Sequence, residues 1–304
     1  MAAAEEERRF RELDDDIARI EASLVSIGAK FRGDNYDQKQ WSRDDATKAS
    51  PVSSETDGPK VVWSEDEAQL DQNGDLVLPS AALGAGGQLD GMERQIQGCL
   101  RCDLGLRRER VGGRIVFGKG SPTADLVLIG EAPGKNEERG GEPFIGRSGE
   151  ILDRMLRRVL ELSRDEVYVI NVLKCRPDKN EDPSESEMDA CRCFLEAQLR
   201  VVKPKVIVTL GVFATRMLLN RPGSIHSFRG NWFVYRGSIP VRPTFHPSYL
   251  LRLESPGGTR EETVALRKEE RLEKKRVQQD LLKVADALKR WSVRRRIVEI
   301  NSKR

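Results

Sequence analysis

Histidine is almost missing from this 304-residue chain, which has two. Imidazole chemistry therefore rests on His226 and His246 alone, and each has to be judged by its neighbours. Also missing is any apolar run near the roughly 18 to 20 residues that a membrane span needs, so a membrane role is excluded from the expectations. The opening MAAAEEERRF lacks the basic start and apolar stretch of a secretory leader. These absences lead to the expectation of a soluble, intracellular protein, cytoplasmic and nucleoid-associated. Cysteine is scarce too, with five in the chain. In an intracellular chain that number argues against a disulfide scaffold and toward metal or redox chemistry.

Charge is what the chain has in plenty. Asp, Glu, Lys and Arg make up 33% of it, above the typical share of about 25%. The net charge of +3 hides an asymmetry: residues 1–90 carry 10 Lys+Arg against 20 Asp+Glu, and the remainder 42 against 29. An acidic arm precedes a basic body. A basic body suits a polyanionic partner such as nucleic acid, the alternative being an ordinary surface of mixed charge.

Near the start, Phe10, Leu13, Ile17, Ile20, Leu24 and Ile27 recur at steps of three and four, the stripe of an amphipathic helix over about 5–27. It could dock on its own domain, recruit a protein partner or self-associate. Residues 28–88 are polar and aperiodic and read as linker. From about residue 91 the texture changes. DLVLIG (125–130), VYVINVL (167–173) and KVIVTLG (205–211) are β-branched and uniformly apolar, as strands buried on both faces should be. A shorter strand, IPVRPTF (239–245), closes the set.

Helical patterns alternate with these strands. One begins after Gly149 with Ile151, Leu152, Met155 and Leu156; another takes Asp182 as cap and Pro183 at its first position, with Met188, Cys191, Leu195 and Leu199 on its apolar side. Val277, Leu281, Val284, Leu288 and Trp291 mark a C-terminal helix that packs on the sheet, whereas the preceding RKEERLEKKR has no apolar face and reads as solvated. The class is α/β with a mainly parallel sheet flanked by helices.

Cys99 and Cys102 form C-x2-C, Cys175 follows the second strand, and Cys191 faces inward on the next helix. Together they suggest a four-thiolate site for zinc or an iron-sulfur cluster, two groups that the ligand set cannot separate. Cys193, about 200° further around the helix, should not share that site. The competing reading takes Cys175, Cys191 and Cys193 as ordinary small buried residues.

GEAPGKNEERGGEPFIGRSG (130–149) comes directly after the first buried strand, where ligands of open α/β sheets bind. Gly130 and Gly134 let backbone approach a ligand, Glu131 supplies a carboxylate, and Phe144 either offers an aromatic face or plugs the core under the loop. Asn171 and His246 sit near other strand ends. A carboxylate, an amide, an imidazole and an aromatic on one sheet edge suit a planar heterocycle.

GEAPGKNEERGGEPFIGRSG, NVLKCRP, the four cysteines and HPSYLLR, taken together and in this order from about residue 91 to 290, resemble the family 4 uracil-DNA glycosylases, the iron-sulfur branch of that superfamily. The departures are Glu138 where Asp is frequent, Ser148 where Ala is common, and Asp178 where a second Pro usually follows. The resemblance implies a central four-stranded parallel sheet and a [4Fe-4S] cluster on Cys99, Cys102, Cys175 and Cys191. It also implies excision of uracil from DNA, starting repair of deaminated cytosine. Phe144 would stack on a flipped-out base beside Gly130, Asn171 would read its edge, His246 would donate to O2, and Glu131, or its backbone carbonyl, would place water and offset sugar charge. Glu137 is a candidate for excluding thymine at C5. Arg147 and Ser148 would hold phosphates, and Leu250, Leu251 and Arg252 would fill the vacated stack, the rival for the two leucines being packing in the core. The alternative is a non-catalytic, metal-bearing (zinc or iron-sulfur) protein that binds nucleic acid or uracil-DNA.

The expected layout is an acidic extension (1–90), a catalytic domain (91–291) with a charged insertion at about 256–276, and a basic tail (292–304). The expected partner is uracil-containing DNA, with the catalytic domain monomeric.

Overall fold

The computed structural model describes residues 76–254 and 260–302. Strand β1 (Lys119–Gly120) is a two-residue edge piece. The β-branched runs follow as β2 (Leu126–Gly130), β3 (Val167–Asn171) and β4 (Val206–Leu210), buried at every position. β5 (Phe233–Tyr235) and β6 (Ile239–Thr244) complete one sheet in the order β1-β3-β2-β4-β6-β5. The four middle strands are parallel, and the two edge strands pair antiparallel. The sheet thus has six strands rather than the expected four. Edge strands of two and three residues are too short to show an alternation in sequence.

The helices are α1 (Gly84–Ile96), α2 (Asp103–Arg110), α3 (Lys135–Gly140), α4 (Arg147–Met155), α5 (Glu185–Val202), α6 (Val212–Leu219), α7 (Ile225–Phe228), α8 (Pro247–Glu254) and α9 (Arg260–Ser302). Side chains alternate along each strand and so feed two cores. Leu126, Leu128, Val167 and Val169 pack with Ile151 and Leu152 of α4 and with Val277, Leu281 and Val284 of α9. On the other face Val127, Ile129 and Ile170 pack with Met92 and Ile96 of α1 and Phe194 and Leu195 of α5. Among the described residues no helix is long and apolar enough to cross a membrane.

Two helix starts differ from the sequence reading. α4 begins at Arg147, with Gly149 in its first turn where a Cβ would meet the Phe144 carbonyl oxygen at 1.7 Å. α5 begins at Glu185 with Ser184 as cap: the Glu187 N–H donates to the Ser184 hydroxyl at 3.3 Å, and the Ser184 N–H donates to Glu187 Oε2 at 2.8 Å. That reciprocal pair satisfies two helix-end donors and outcompetes Asp182 and Pro183.

Leu76 and Leu89, at 2% and 6% exposure, already belong to the core shared with Met92 and Ile96. Residues 76–90 therefore pack with the sheet, ahead of the boundary expected near residue 91. The stripe from Phe10 to Ile27 lies outside the described residues. The charged stretch after residue 260 is the first part of α9, which runs on through Trp291 to Ser302 as one helix. Within RKEERLEKKR only Glu273 is buried, in keeping with a solvated run.

Asp280 on α9 is fully buried and gathers four donors. Arg242 and Thr244 of β6 donate to it at 2.8 and 3.0 Å, Arg229 at 3.0 Å and the Gly230 N–H at 3.2 Å. Removing this carboxylate would strand two guanidinium groups, a loss of about 3 to 5 kcal/mol for a broken buried pair. The network fixes α9 to the strand that leads into His246.

Candidate active site and cysteine centre

Parallel register brings Gly130 beside Asn171 and Leu210 beside Thr244, so the carboxyl ends of β2, β3, β4 and β6 form one rim. The chain leaves β2 toward one side of the sheet and β4 toward the other, which opens a crevice between them. A cleft of about 640 Å³ lies there, walled by Glu131, Phe144, Asn171 and His246. These side chains, brought together from three separate segments, are ones named from sequence.

Asn171 is 2% exposed, and its Oδ1 has no hydrogen-bond partner. A buried acceptor left unpaired costs about 1 to 3 kcal/mol, which a donor arriving at this atom would recover. Its backbone is held from below, where the buried Lys174 Nζ donates to the Asn171 carbonyl at 2.7 Å. Gly130 is what lets the walls meet. A Cβ there would lie 2.3 Å from Asn171 Oδ1 and 2.6 Å from Phe144 Cζ. Gly130 lies behind the cleft wall rather than among its lining residues.

Phe144 is 5% exposed, and its ring centroid lies 5.5 Å from that of His246 at 31°. Its φ of 55° falls in the left-handed region, which costs a bulky residue roughly 1 to 2 kcal/mol. Strain of this kind persists where the surroundings enforce it. One brace is Glu137, whose Oε1 accepts the Gly146 N–H at 2.9 Å. Glu137 lines the cleft while acting as this tie within the loop.

The tautomer of His246 follows from its neighbours. The Ser248 N–H donates to Nδ1 at 3.1 Å, with the Ser248 hydroxyl 2.7 Å away, so Nδ1 is an acceptor and the ring proton sits on Nε2. Burial and the Arg252 cation press the His246 pKa down to about 4, which keeps the ring neutral near pH 7. His246 is thus a neutral Nε2–H donor. Glu131 moves the other way: burial and the nearby Asp182 carboxylate, opposed by Arg252, raise its pKa to about 7. Its backbone carbonyl accepts the Leu173 N–H at 3.0 Å.

Arg147 and Ser148, in the uncapped first turn of α4, line the cleft, as do Leu251 and the exposed Arg252 of α8. Leu250 does not. It is 2% exposed and packs in the core with Phe245, because α8 turns that position toward the sheet. The apolar group on the rim is therefore Leu251 alone of the pair. Sequence reasoning passed over Ser248 and Asp182. The Ser two places after His, in HPS, is the signal that could have found the first.

Cys99, Cys102, Cys175 and Cys191 border a second, smaller cavity with Ile96, Ile115 and Phe194. Cys193 is not among its walls; its sulfur instead accepts from Arg101 at 3.3 Å. The Arg108 guanidinium donates to the carbonyls of Gln97 and Cys99 at 2.8 and 3.1 Å, and Gly105 admits the Cys99 carbonyl where a Cβ would stand 2.6 Å from it. These contacts fold the C-x2-C segment toward β3 and α5. Burial raises the thiol pKa values of Cys99 and Cys191, and that of Cys175 to about 12. Among the described residues no three Cys, His, Asp or Glu side chains close around a single ion. The donor set is nonetheless one that fits a metal group: four thiols and no carboxylate on one wall.

The family model described as the uracil DNA glycosylase superfamily matches residues 117–269. A type-4 uracil-DNA glycosylase of Sulfurisphaera tokodaii is 38% identical over 170 residues, covering 54% of this chain and 76% of the relative. One from Thermotoga maritima is 41% identical over 165 residues, 54% and 83% of the two chains. A type-5 uracil-DNA glycosylase of Pyrobaculum aerophilum is 30% identical over 153 residues, 45% and 67% of the two.

Proposed function

For a chain that belongs to the uracil-DNA glycosylase superfamily, and within it to the type-4 enzymes, we propose that the cleft receives a flipped-out uracil between Phe144 and the Asn171 amide. The chain hydrolyses the N-glycosidic bond of uracil in DNA, releasing uracil and leaving an abasic site as the first step of base excision repair. The observation that carries the assignment to this cleft is the orphaned Asn171 Oδ1. N3–H of uracil would satisfy it while the amide N–H2 donates to O4. Cytosine reverses that pattern and leaves the buried amide unpaired, a basis for strong rejection.

As the C1′–N1 bond breaks, its electron pair leaves with the base and positive charge grows on the sugar. The Nε2–H of His246 faces the charge that develops on uracil O2, and a fixed neutral donor stabilises it without reorganisation. The Glu131 carboxylate orients the water that adds to C1′ and offsets the sugar's charge. Arg147, Ser148 and the free N–H groups at the start of α4 hold flanking phosphates, and Leu251 with Arg252 fills the space left in the stack. Flipping costs a few kcal/mol, which these contacts offset.

Cys99, Cys102, Cys175 and Cys191 would hold a [4Fe-4S] cluster. Four thiols bordering one cavity suit zinc or a cluster alike, and the resemblance to the iron-sulfur branch of the family favours the cluster. Bound there, it supplies a structural tie, since the hydrolysis moves no electrons. The packing of Leu76 and Leu89 in the core supports a catalytic unit that starts before residue 91. Incubating the protein with uracil-containing DNA and treating it with alkali tests the reading. Strand breaks at uracil positions, absent from thymine-containing DNA, are expected; intact DNA would overturn it.

A further inference from the structure

The groups that hold Phe144 in its left-handed conformation come partly from a segment that takes no part in the cleft. Arg164 opens the 3-10 turn (Arg164–Glu166) that leads into β3. Its Nη2 donates to the Phe144 carbonyl at 2.8 Å, with longer approaches of 3.5 Å from Nη1 to the Pro143 carbonyl and from Nη2 to that of Gly149. Its Nε donates to Asp153 on α4. A guanidinium is a rigid planar fork, so anchoring one edge on Asp153 fixes where the other edge points. Neither Arg164 nor Asp153 lines the cleft.

We propose that Arg164 is a positioning residue for base recognition: anchored by Asp153, it holds the Phe144 carbonyl and thereby keeps the phenyl ring against Gly130 and His246. The inference rests on Phe144 stacking on the base. The Phe144 carbonyl is set between two demands. Gly149 must pack directly on it for α4 to start where it does, and among the described residues no backbone N–H outside the helices and strands donates to it. A donor from outside the loop settles its direction. With Arg164 gone, the backbone at Phe144 can relax toward ordinary φ values, and the ring leaves the position where a base would meet its face. The effect is indirect, so it falls on affinity for the base and works only through the ring.

A double-mutant cycle on the full-length protein tests this, reading the inhibition constant of free uracil in the excision assay, with iron content and thermal midpoint as controls of folding. Arg164→Gln should raise the uracil Ki by about tenfold, the scale of one charge-assisted hydrogen bond, with iron unchanged. In a Phe144→Ala background the same change should alter Ki by less than about twofold. Arg164→Lys, which keeps the charge but not the fork, should recover only part of the affinity. Should Arg164→Gln fail to fold, Asp153→Asn replaces it, with a smaller rise in Ki that also vanishes in Phe144→Ala. Losses that multiply across the two backgrounds, or parent-like Ki in folded Arg164→Gln, would overturn the inference. A Phe144→Ala variant with unchanged Ki would instead remove the stacking reading on which it stands.

Discussion

The cleft and the cysteine centre grow from the same strand end, with Asn171 and Cys175 on either side of the buried Lys174, yet they are built on opposite plans. The cleft leaves polar atoms unsatisfied: Asn171 Oδ1 has no partner, and the first turn of α4 has no side-chain cap. It is assembled from the ends of neighbouring strands and held in a strained conformation. The cysteine corner is nearly closed, with thiols under 10% exposed at Cys175 and Cys191 and a set of arginine bonds gathering the C-x2-C loop. On the proposed reading, one region receives a transient ligand and the other a permanent one. If so, damage to the corner should cost stability, while damage to the cleft should cost chemistry and leave the fold standing.

The corner should show the largest effect. Replacing Cys175 or Cys191 with Ser should remove the iron and lower the thermal midpoint steeply, because binding energy of a structural metal group is folding energy. Cys193→Ser should retain the iron; metal analysis and calorimetry on the three variants check both statements. Next comes the cleft. His246→Ala should lower the single-turnover excision rate by about 100- to 1000-fold, the usual loss of an oxyanion donor, with the iron and the midpoint intact. A coincident loss of iron would erase the distinction between the two regions.

Glu131 sharpens the comparison through pH. Its folded pKa near 7 stands above the usual carboxylate value of 4.5, so the folded state binds more protons between those limits. The stability from its neutral form is complete below pH 4.5 and is lost as pH rises through about 7. Glu131→Gln should accordingly melt higher than the parent above pH 7 and match it below pH 4.5. In the parent, kcat/KM should rise through about pH 7 as the carboxylate forms, and that limb should vanish in the variant. The smallest effect is expected from removing residues 1–75, which precede every described element. Their acidic excess should compete weakly with DNA, so truncation should spare excision and iron and tighten DNA binding mainly at low salt, as titrations at two ionic strengths would show.

The strand interiors and the four-residue constellation of the cleft were legible because local signals carried them. Uniform β-branched runs mark buried parallel strands, and Glu131, Phe144, Asn171 and His246 all sit at or just past strand ends or within the loop after one. What stayed hidden depends on contacts between distant segments. Asp280 reads as one more charge on a charged helix, and only its burial against Arg229 and Arg242 reveals it as a clamp. Arg164 is equally silent, since nothing near it in sequence names the Phe144 carbonyl as its acceptor. Leu250 and Leu251 are adjacent and chemically identical; the rotation of a short helix alone sends one to the core and the other to the rim. Ser184 displaced Asp182 as a cap because Glu187 stands three places on, a signal that was present but outweighed by the Asp-Pro pair.

The central claim is that the Asn171 amide reads the base. Single-turnover excision of uracil against cytosine, in matched duplexes, by the parent and by Asn171→Asp tests it most directly. The carboxylate replaces the donor facing O4 with an acceptor, which suits the amino group of cytosine. The account predicts slower uracil excision and a uracil-to-cytosine rate ratio that falls by at least about tenfold, with iron content unchanged. A folded variant with the parent's ratio would contradict it and place base recognition elsewhere in the cleft.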